Sequence, residues 1–529
     1  MPDPPRYDLR EEPWIPVRIG GLPVSLGLRE VFLRAHEVED LALPVPPAAS
    51  ALLRLLTVIA ARITGLDDPD LDADDWLDAR KAALLRRDGF EPDAVHGYFD
   101  RPDLADRFDL FDPLRPFLQD PALREQCSKR AGVNKLAFGR AAGNNPAWWG
   151  PFHDTDPRPL PADQGAWYLL VQHFYGPSGR CSARTVDGRT EANSTAGPLR
   201  KTISFHPLGR NLHESLLASV PRLTEDAPDT EDLCPWEEPH APDPQREPAP
   251  LTWPGRLLTG RSRHALLLVP TADGPGVADA YLTWGTRRPA LAATDPYVVM
   301  NTVRTGANAG TRYPREADPA RALWRDLDAL LLKSDASTGF HRPTIFQDLN
   351  DLPAELRAAL RVRAYGFEQD GQQVDTSWFT AVTPPLLRWS EEQDPSAARR
   401  ISVCREAAEE VANKLGLAAA VAWAEATLPP PKEGSQVKAD TKKPGPWRPR
   451  AWAAYWPQAE TTFWKLLEDP AAEPYRAFVR AAEQALHAAV GNAEKEQKAA
   501  KAVSHALGIL RTVIPAAAGP AGPSPMEAA

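Results

Sequence analysis

Cysteine is scarce in this chain and wrongly spaced for its usual structural chemistry. Cys127, Cys181, Cys234 and Cys404 stand far apart with no CxxC pair, so neither a disulfide framework nor a zinc ribbon is signalled, and a reducing compartment is the simplest setting. Long apolar runs are missing as well. The first residues, MPDPPRYDLREEPWIPVRI, hold no signal-peptide core, and no run near about 18 apolar residues suggests a bilayer span. A cytoplasmic chain with no membrane partner is expected. GxxxxGK[ST], HExxH and GxSxG are absent too, which removes the simplest signatures of phosphate-loop, zinc-helix and serine-nucleophile enzymes. Histidines number only 11 and are scattered. His153-Asp154 is a lone HD pair, whereas a metal-dependent phosphohydrolase needs several convergent ligands. Adjacent acids such as Glu391-Glu392 and Glu409-Glu410 read as solvated helix faces. The sequence therefore predicts no metal, no cofactor and no catalytic constellation.

What is present is an ordinary globular composition, 43% hydrophobic and 25% charged over 529 residues, long enough for roughly two to four domains. The net charge of −10 argues against a surface that grips nucleic acid everywhere, but leaves room for one basic groove. The most informative stretch is 175–201, YGPSGRCSARTVDGRTEANSTAGPLRK. It carries four glycines (Gly176, Gly179, Gly188, Gly197) and five cations (Arg180, Arg184, Arg189, Arg200, Lys201) against two anions (Asp187, Glu191). A long structureless loop is either functional or disordered. Glycine lets a backbone approach another molecule closely, and arginine suits phosphates or a groove. Composition alone leaves a binding loop and a mobile excursion both open.

Around this stretch the pattern is mixed. WIPVRI followed by GGLPVSL reads as a hairpin, 46–64 as a buried helix opened by proline, and 74–87 as a second helix with Trp76, Leu77, Ala83 and Leu84 inward. Residues 164–175 form a short amphipathic helix feeding the glycine stretch, and 211–220 start another. The acidic, proline-rich 226–250 reads as a surface linker. HALLLVP, AYLTW and 297–304 are strands, and 364–379 is a hairpin turning at Asp370-Gly371. Four Ala-rich amphipathic helices over 406–427, 452–467, 474–490 and 494–513 make a bundle, because each apolar stripe needs neighbours. Between the first two lies a basic loop with Lys432, Lys438, Lys442, Lys443, Arg448 and Arg450, open to reading as a solvated linker or a phosphate contact. The expected fold is thus α+β: a large mixed N-terminal domain (1–389), a C-terminal four-helix bundle (390–514) and a disordered tail (515–529).

EPWIPVR, RPFLQ at 115–119, GNNPAWWG, the glycine stretch after a buried helix, YGFEQDGQQVDTSWF and the C-terminal bundle follow one another in a set order. In that order the chain resembles the large subunit, CasA, of the type I-E CRISPR Cascade surveillance complex. The resemblance implies a non-catalytic subunit that recognises the protospacer-adjacent motif in double-stranded target DNA. It implies help in strand separation and R-loop formation, assembly with CRISPR RNA and the other Cascade subunits, and later recruitment of a helicase-nuclease. By position it places a glycine loop over 176–189, with Gly176, Gly179 and Gly188 for close backbone approach and Arg180, Arg184 and Arg189 on phosphates. Minor-groove edges carry a degenerate code, which suits permissive reading. A wedge falls on Gln372 or Gln373; on turn chemistry alone these glutamines are an ordinary exposed turn. Arg287 and Arg288 stand where the family pattern has a lysine finger. Asn134, Asn144 and Asn145 fall in the loop that contacts the guide's 5′ handle and neighbouring subunits. Some relatives carry a zinc-binding cysteine cluster, which this chain lacks. A metal-dependent nucleic-acid hydrolase built on His153-Asp154 and a purely structural scaffold subunit are the alternatives.

Overall fold

The computed structural model describes residues 5–142, 150–222, 230–290, 294–333, 339–371, 374–429 and 443–515. These form two compact units, one from the described residues of Met1–Leu323 and Lys333–Arg388, the other from those of Trp324–Leu332 and Trp389–Ala529. The α+β class and the helical C-terminal region match expectation.

The larger unit opens with β1 (Ile15–Ile19) and β2 (Leu22–Leu26), paired antiparallel across Gly20 and Gly21, whose φ angles of 56° and 75° favour glycine. Helix α1 (Leu28–Leu33) returns the chain so that β3 (Val38–Leu41) joins the other side of β1. Trp14 is fully buried; its indole donates to the Leu9 carbonyl at 2.8 Å, and its own carbonyl accepts from Trp167 Nε1 at 2.7 Å. Helix α2 (Pro46–Thr64) has the expected bounds, with proline in its first turn and Gly65 in the left-handed region at its end. By length and apolarity alone it could cross a bilayer, contrary to the expectation that the chain holds no such run. Here it is a core helix, buried over most of its length, with Arg54 paired to Asp295 at 2.8 Å beneath the Tyr297 ring.

Helix α3 (Ala73–Leu84) is capped by Asp72, which accepts from the amides of Asp74 and Asp75. Its buried residues are Trp76, Arg80 and Leu84, so the expected Leu77 and Ala83 give way to an arginine. The reason is a neighbouring helix end: Arg80 donates to the carbonyls of Leu217 and Ala218, orphan acceptors in the last turn over Leu212–Ser219. Three short helices follow, α4 (Pro92–Phe99), α5 (Leu123–Gln126) and α6 (Val133–Leu136). After β4 (Leu160–Pro161), α7 (Ala162–Tyr175) is buried on nearly every side rather than amphipathic.

The chain then forms β5 (Gly179–Val186), β6 (Arg189–Ser194), β7 (Ile203–Leu208), α8 (Leu212–Ser219) and α9 (Gly255–Thr259). The segment expected as a surface linker is, over its described residues 230–250, tied into the fold. Asp232 caps α9 by accepting from the amides of Gly255 and Arg256. Arg62 bonds Asp67, Asp232 and Glu237 together, while Cys234 and Trp236 are buried. Acids that composition assigns to solvent thus serve a cation on α2. β8 (His264–Pro270) and β9 (Gly276–Trp284) are strands as expected; they pair antiparallel and form a sheet in the order β4-β9-β8. A small sheet of β10 (Met300–Thr302), β11 (Arg312–Pro314) and β12 (Phe340–His341) replaces the longer strand expected over 297–304. After α10 (Leu327–Leu331), which belongs to the other unit, and α11 (Ala354–Ala359), β13 (Arg361–Asp370) and β14 (Val374–Val382) form the expected hairpin, with β7 on its far side in the order β14-β13-β7.

The second unit is a four-helix bundle of α12 (Pro395–Thr427), α13 (Trp447–Glu468), α14 (Pro474–Val490) and α15 (Gln497–Arg511). α12 starts 11 residues before the expected 406, because Asp394 accepts from the Ala397 amide and Pro395 occupies the first turn. Alanines Ala408, Ala412 and Ala419 are buried along α12, and Gly416 lets the Trp452 indole lie against it. Trp452 and Tyr455 of α13 donate to the carbonyls of Ala412 and Ala408, each at 2.9 Å. Residues 324–332 strap this bundle: Trp324 packs on Phe463 and Arg405 pairs with Asp328 at 2.6 Å. Most of the basic loop (430–442) and the tail (516–529) lie outside the described residues.

Candidate nucleic-acid interface

The stretch expected as a structureless loop is mostly a two-stranded hairpin. Asp187 (φ 47°) and Gly188 (φ 74°) both sit in the left-handed region, the geometry of a two-residue turn whose twist suits its flanking strands. Thr185 faces Thr190 and Val186 faces Arg189, with an irregularity between Arg180 and Arg184. At Gly188 an added Cβ would meet nothing, so the tip is open. Gly179 begins β5 with φ 100°. Gly176 differs: an added Cβ would lie 2.4 Å from the Gln172 carbonyl and 2.7 Å from the His264 ring. Its close approach is to the protein's own interior, a correction to the idea that all three glycines face a ligand.

The cations divide in the same way. Arg184 is buried completely: its guanidinium pairs with Asp120 at 2.6 Å and donates to Gln126 Oε1 and the Trp284 carbonyl. It anchors β5 instead of facing a phosphate, so this expectation is corrected. Arg200 is likewise turned inward, its side chain only 1% exposed, bonded to Asp375, Gln369 and the Tyr175 carbonyl. Burial lowers the Arg200 guanidinium and raises the Asp375 carboxyl, each offset by the other. Arg180 and Arg189 are exposed on the hairpin. Arg287 reaches it from the end of β9, pairing with Glu191 at 2.6 Å and lying 4.3 Å over the Trp284 ring. An exposed pair of this kind contributes under about 1 kcal/mol, so Arg287 is readily released. Arg288 turns the other way, to Glu247 and the Gln245 carbonyl.

Beside β5 lies an open cleft of about 670 Å³, whose lining includes Lys129, Arg130, Lys135, Arg140 and Arg180. One carboxylate, Asp375, reaches it, and that is held by Arg200. The cations of 127–142 were not among the expected site residues. The signal was available, since CSKRAGVNKLAFGRAA contains four cations and no acid. Asn134 lines the cleft but is buried, its amide donating to Asp154 Oδ1 at 3.0 Å and accepting from Arg140, so it holds the wall in place. Asn144 and Asn145 lie outside the described residues. So do Gln372 and Gln373, between Gly371 (φ 59°) and Val374. His153 is exposed, and among the described residues no three of His, Cys, Asp and Glu gather where they could hold a metal ion.

This fold, a mixed unit and a four-helix bundle, recurs in chains of CRISPR RNA-guided surveillance complexes. A structure described as a CRISPR RNA-guided surveillance complex contains a chain 40% identical to this one, with a TM-score of 0.83 over 96% of this chain and 100% of that one. Residues 8–493 match the family CRISPR-associated protein Cse1. CRISPR-associated protein CasA/Cse1 of Thermus thermophilus is 33% identical over 373 residues, covering 68% of this chain and 67% of that protein. Thermobifida fusca Cse1, 21% identical, shares the fold with a TM-score of 0.73 over 97% of this chain and 98% of that one. The chain belongs to the Cse1 family, the CasA large subunits of type I-E Cascade.

Proposed function

We propose that this chain is the subunit of a cytoplasmic CRISPR RNA-guided surveillance complex that reads a short motif beside the target in double-stranded DNA. One observation carries the reading. In a chain of net charge −10, the exposed Arg180 and four further cations, Lys129, Arg130, Lys135 and Arg140, line a cleft beside β5, whose hairpin with β6 is open at its Gly188 tip and carries the exposed Arg189. Two-stranded ribbons fit DNA grooves, and a tip with no side chain at Gly188 can approach base edges in the narrow minor groove. Arg180, Arg189 and the releasable Arg287 supply phosphate contacts that set register and affinity without specifying sequence. The turn carrying Gln372 and Gln373 acts as the wedge that starts strand separation, after which the guide RNA reads the target by base pairing and a helicase-nuclease is recruited. The subunit performs no chemistry of its own. Gel-shift titration of the reconstituted complex on duplexes with and without the motif tests this: omitting the chain is expected to abolish discrimination. Retained discrimination without it would mean the complex reads its motif elsewhere.

A further inference from the structure

Arg200 lies on the segment that returns from β6 to β7, and this segment is fastened to the end of α7: Gly197 donates to the Gly176 carbonyl and Leu199 to the Phe174 carbonyl, both at 2.9 Å. The next residue, Lys201, is held at φ 68°, a left-handed conformation that costs a side-chain-bearing residue about 1–2 kcal/mol and persists only where the surroundings impose it. From this fixed base the Arg200 guanidinium donates to three acceptors on separate segments. One is the Tyr175 carbonyl at the foot of the β5–β6 hairpin, at 2.7 Å; the others are Gln369 Oε1 on β13 and Asp375 Oδ1 on β14. Gln369 and Asp375 face each other in register one step below the β13–β14 turn. Gln369 then donates from Nε2 to the Gly371 carbonyl at 2.7 Å, so the turn is two hydrogen bonds away from Arg200. The guanidinium also covers Phe367 at 4.9 Å, and Phe367 stacks on Tyr175 at 5.3 Å.

A hairpin needs no buried ion pair near its tip to keep its ladder, and an apolar side chain would fill this space without removing two charges from water. What the arginine adds is geometry: a planar fork that spans acceptors a lysine could not reach together. We propose that Arg200 is a positioning residue that couples occupancy of the β5–β6 hairpin to the placement of Asp370-Gly371 at the end of β13, through Gln369, so that motif binding is passed on as strand opening. This rests on the motif-reading and wedge roles proposed above.

The test uses the assembled complex with two variants. Gln369→Leu breaks the relay to Gly371 while leaving the Arg200–Asp375 pair in place, and the double variant Arg200→Met/Asp375→Asn removes both charges together, so that neither is left buried and unpaired. Gel shift reports duplex binding, and permanganate reactivity of thymines beside the motif reports opening. Gln369→Leu is expected to bind motif-bearing duplex nearly as wild type does and to open it about fivefold less or worse, the low end of ordinary coupling between sites. The double variant, which also removes the carboxylate facing the cleft, is expected to lose opening by more than it loses binding. Unchanged opening in Gln369→Leu overturns the coupling, as does a parallel loss of binding and opening, which would make Arg200 merely structural. A wild-type complex that opens duplexes with and without the motif equally overturns the underlying reading instead, and the coupling with it.

Discussion

Two hairpins of the larger unit, turning at Asp187-Gly188 and at Asp370-Gly371, are held by different means. The β13–β14 hairpin is part of a sheet: β7 continues it, and Phe367 is buried among Phe138, Tyr175 and Trp378. Its lower half is core. Among the described residues the β5–β6 hairpin has no third strand. It is clamped at single points, through Arg184 to Asp120 and Trp284, through Thr283 to the Ser182 carbonyl, and through Trp284 Nε1 to the Glu191 carbonyl. A hairpin fixed by a few polar clamps keeps its outer face free for a ligand. One fixed by a sheet transmits force along its strands.

The largest effect that would break this contrast comes from Arg184→Met. Asp120 then stays buried without its partner, and unfolding free energy is expected to fall by about 3–5 kcal/mol, read from the urea midpoint at unchanged slope. A loss under about 0.5 kcal/mol would mean that Arg184 spends its time in solvent. Acid comes next. His264 donates from Nε2 to the Pro177 carbonyl beside the hairpin foot, and burial holds its pKa down at about 4 against an ordinary 6.5. The folded form therefore carries a neutral ring where the unfolded chain is protonated. Its contribution is complete above pH 6.5 and drains away as pH falls towards about 4, at about 1.4 kcal/mol per pH unit. Urea midpoints across that window should flatten by this amount in His264→Gln, and an unaltered slope would exclude the ring as the titrating group. The glycines sharpen the contrast further: Gly176→Ala should cost about 1–3 kcal/mol by overpacking, and Gly188→Ala about 1 kcal/mol by backbone strain alone. Equal costs in thermal melts would contradict a closed foot and an open tip. Smallest in stability is Arg189→Ala, expected to change unfolding by less than about 0.5 kcal/mol. It should still lower the salt dependence of DNA binding by about one unit, measured by gel shift across salt concentrations.

Much of this was legible beforehand, for physical reasons that can be named. Pro46–Thr64 and Pro474–Val490 have the expected bounds, since proline opens each and glycine closes each. The second hairpin announces itself because a polar turn at Asp370-Gly371 divides two runs carrying aromatic and β-branched residues. The first was hidden by its neighbours: GRCSARTV and RTEANS are polar strands that rest on β9 instead of on a core of their own, so period-2 hydrophobicity never develops. Direction was hidden too. Nothing in the residue type separates Arg184 and Arg200, which face inward, from Arg180 and Arg189, which face out. That distinction depends on Asp120 and Asp375, some 64 and 175 positions away. The α12 start at Asp394-Pro395 was readable as a cap and was missed.

Composition would also choose 230–250 as the place to open this chain for a tag, an inserted domain or a split into halves. Arg62 makes that choice a poor one. By gathering Asp67, Asp232 and Glu237 it pins the segment in place, so that the segment's own Trp236 lies against Phe108 and Phe117 and donates its indole N–H to Tyr98. A cut there would not separate domains at a hinge. It would unseal an aromatic cluster within one of them, and the fragments would be expected to aggregate.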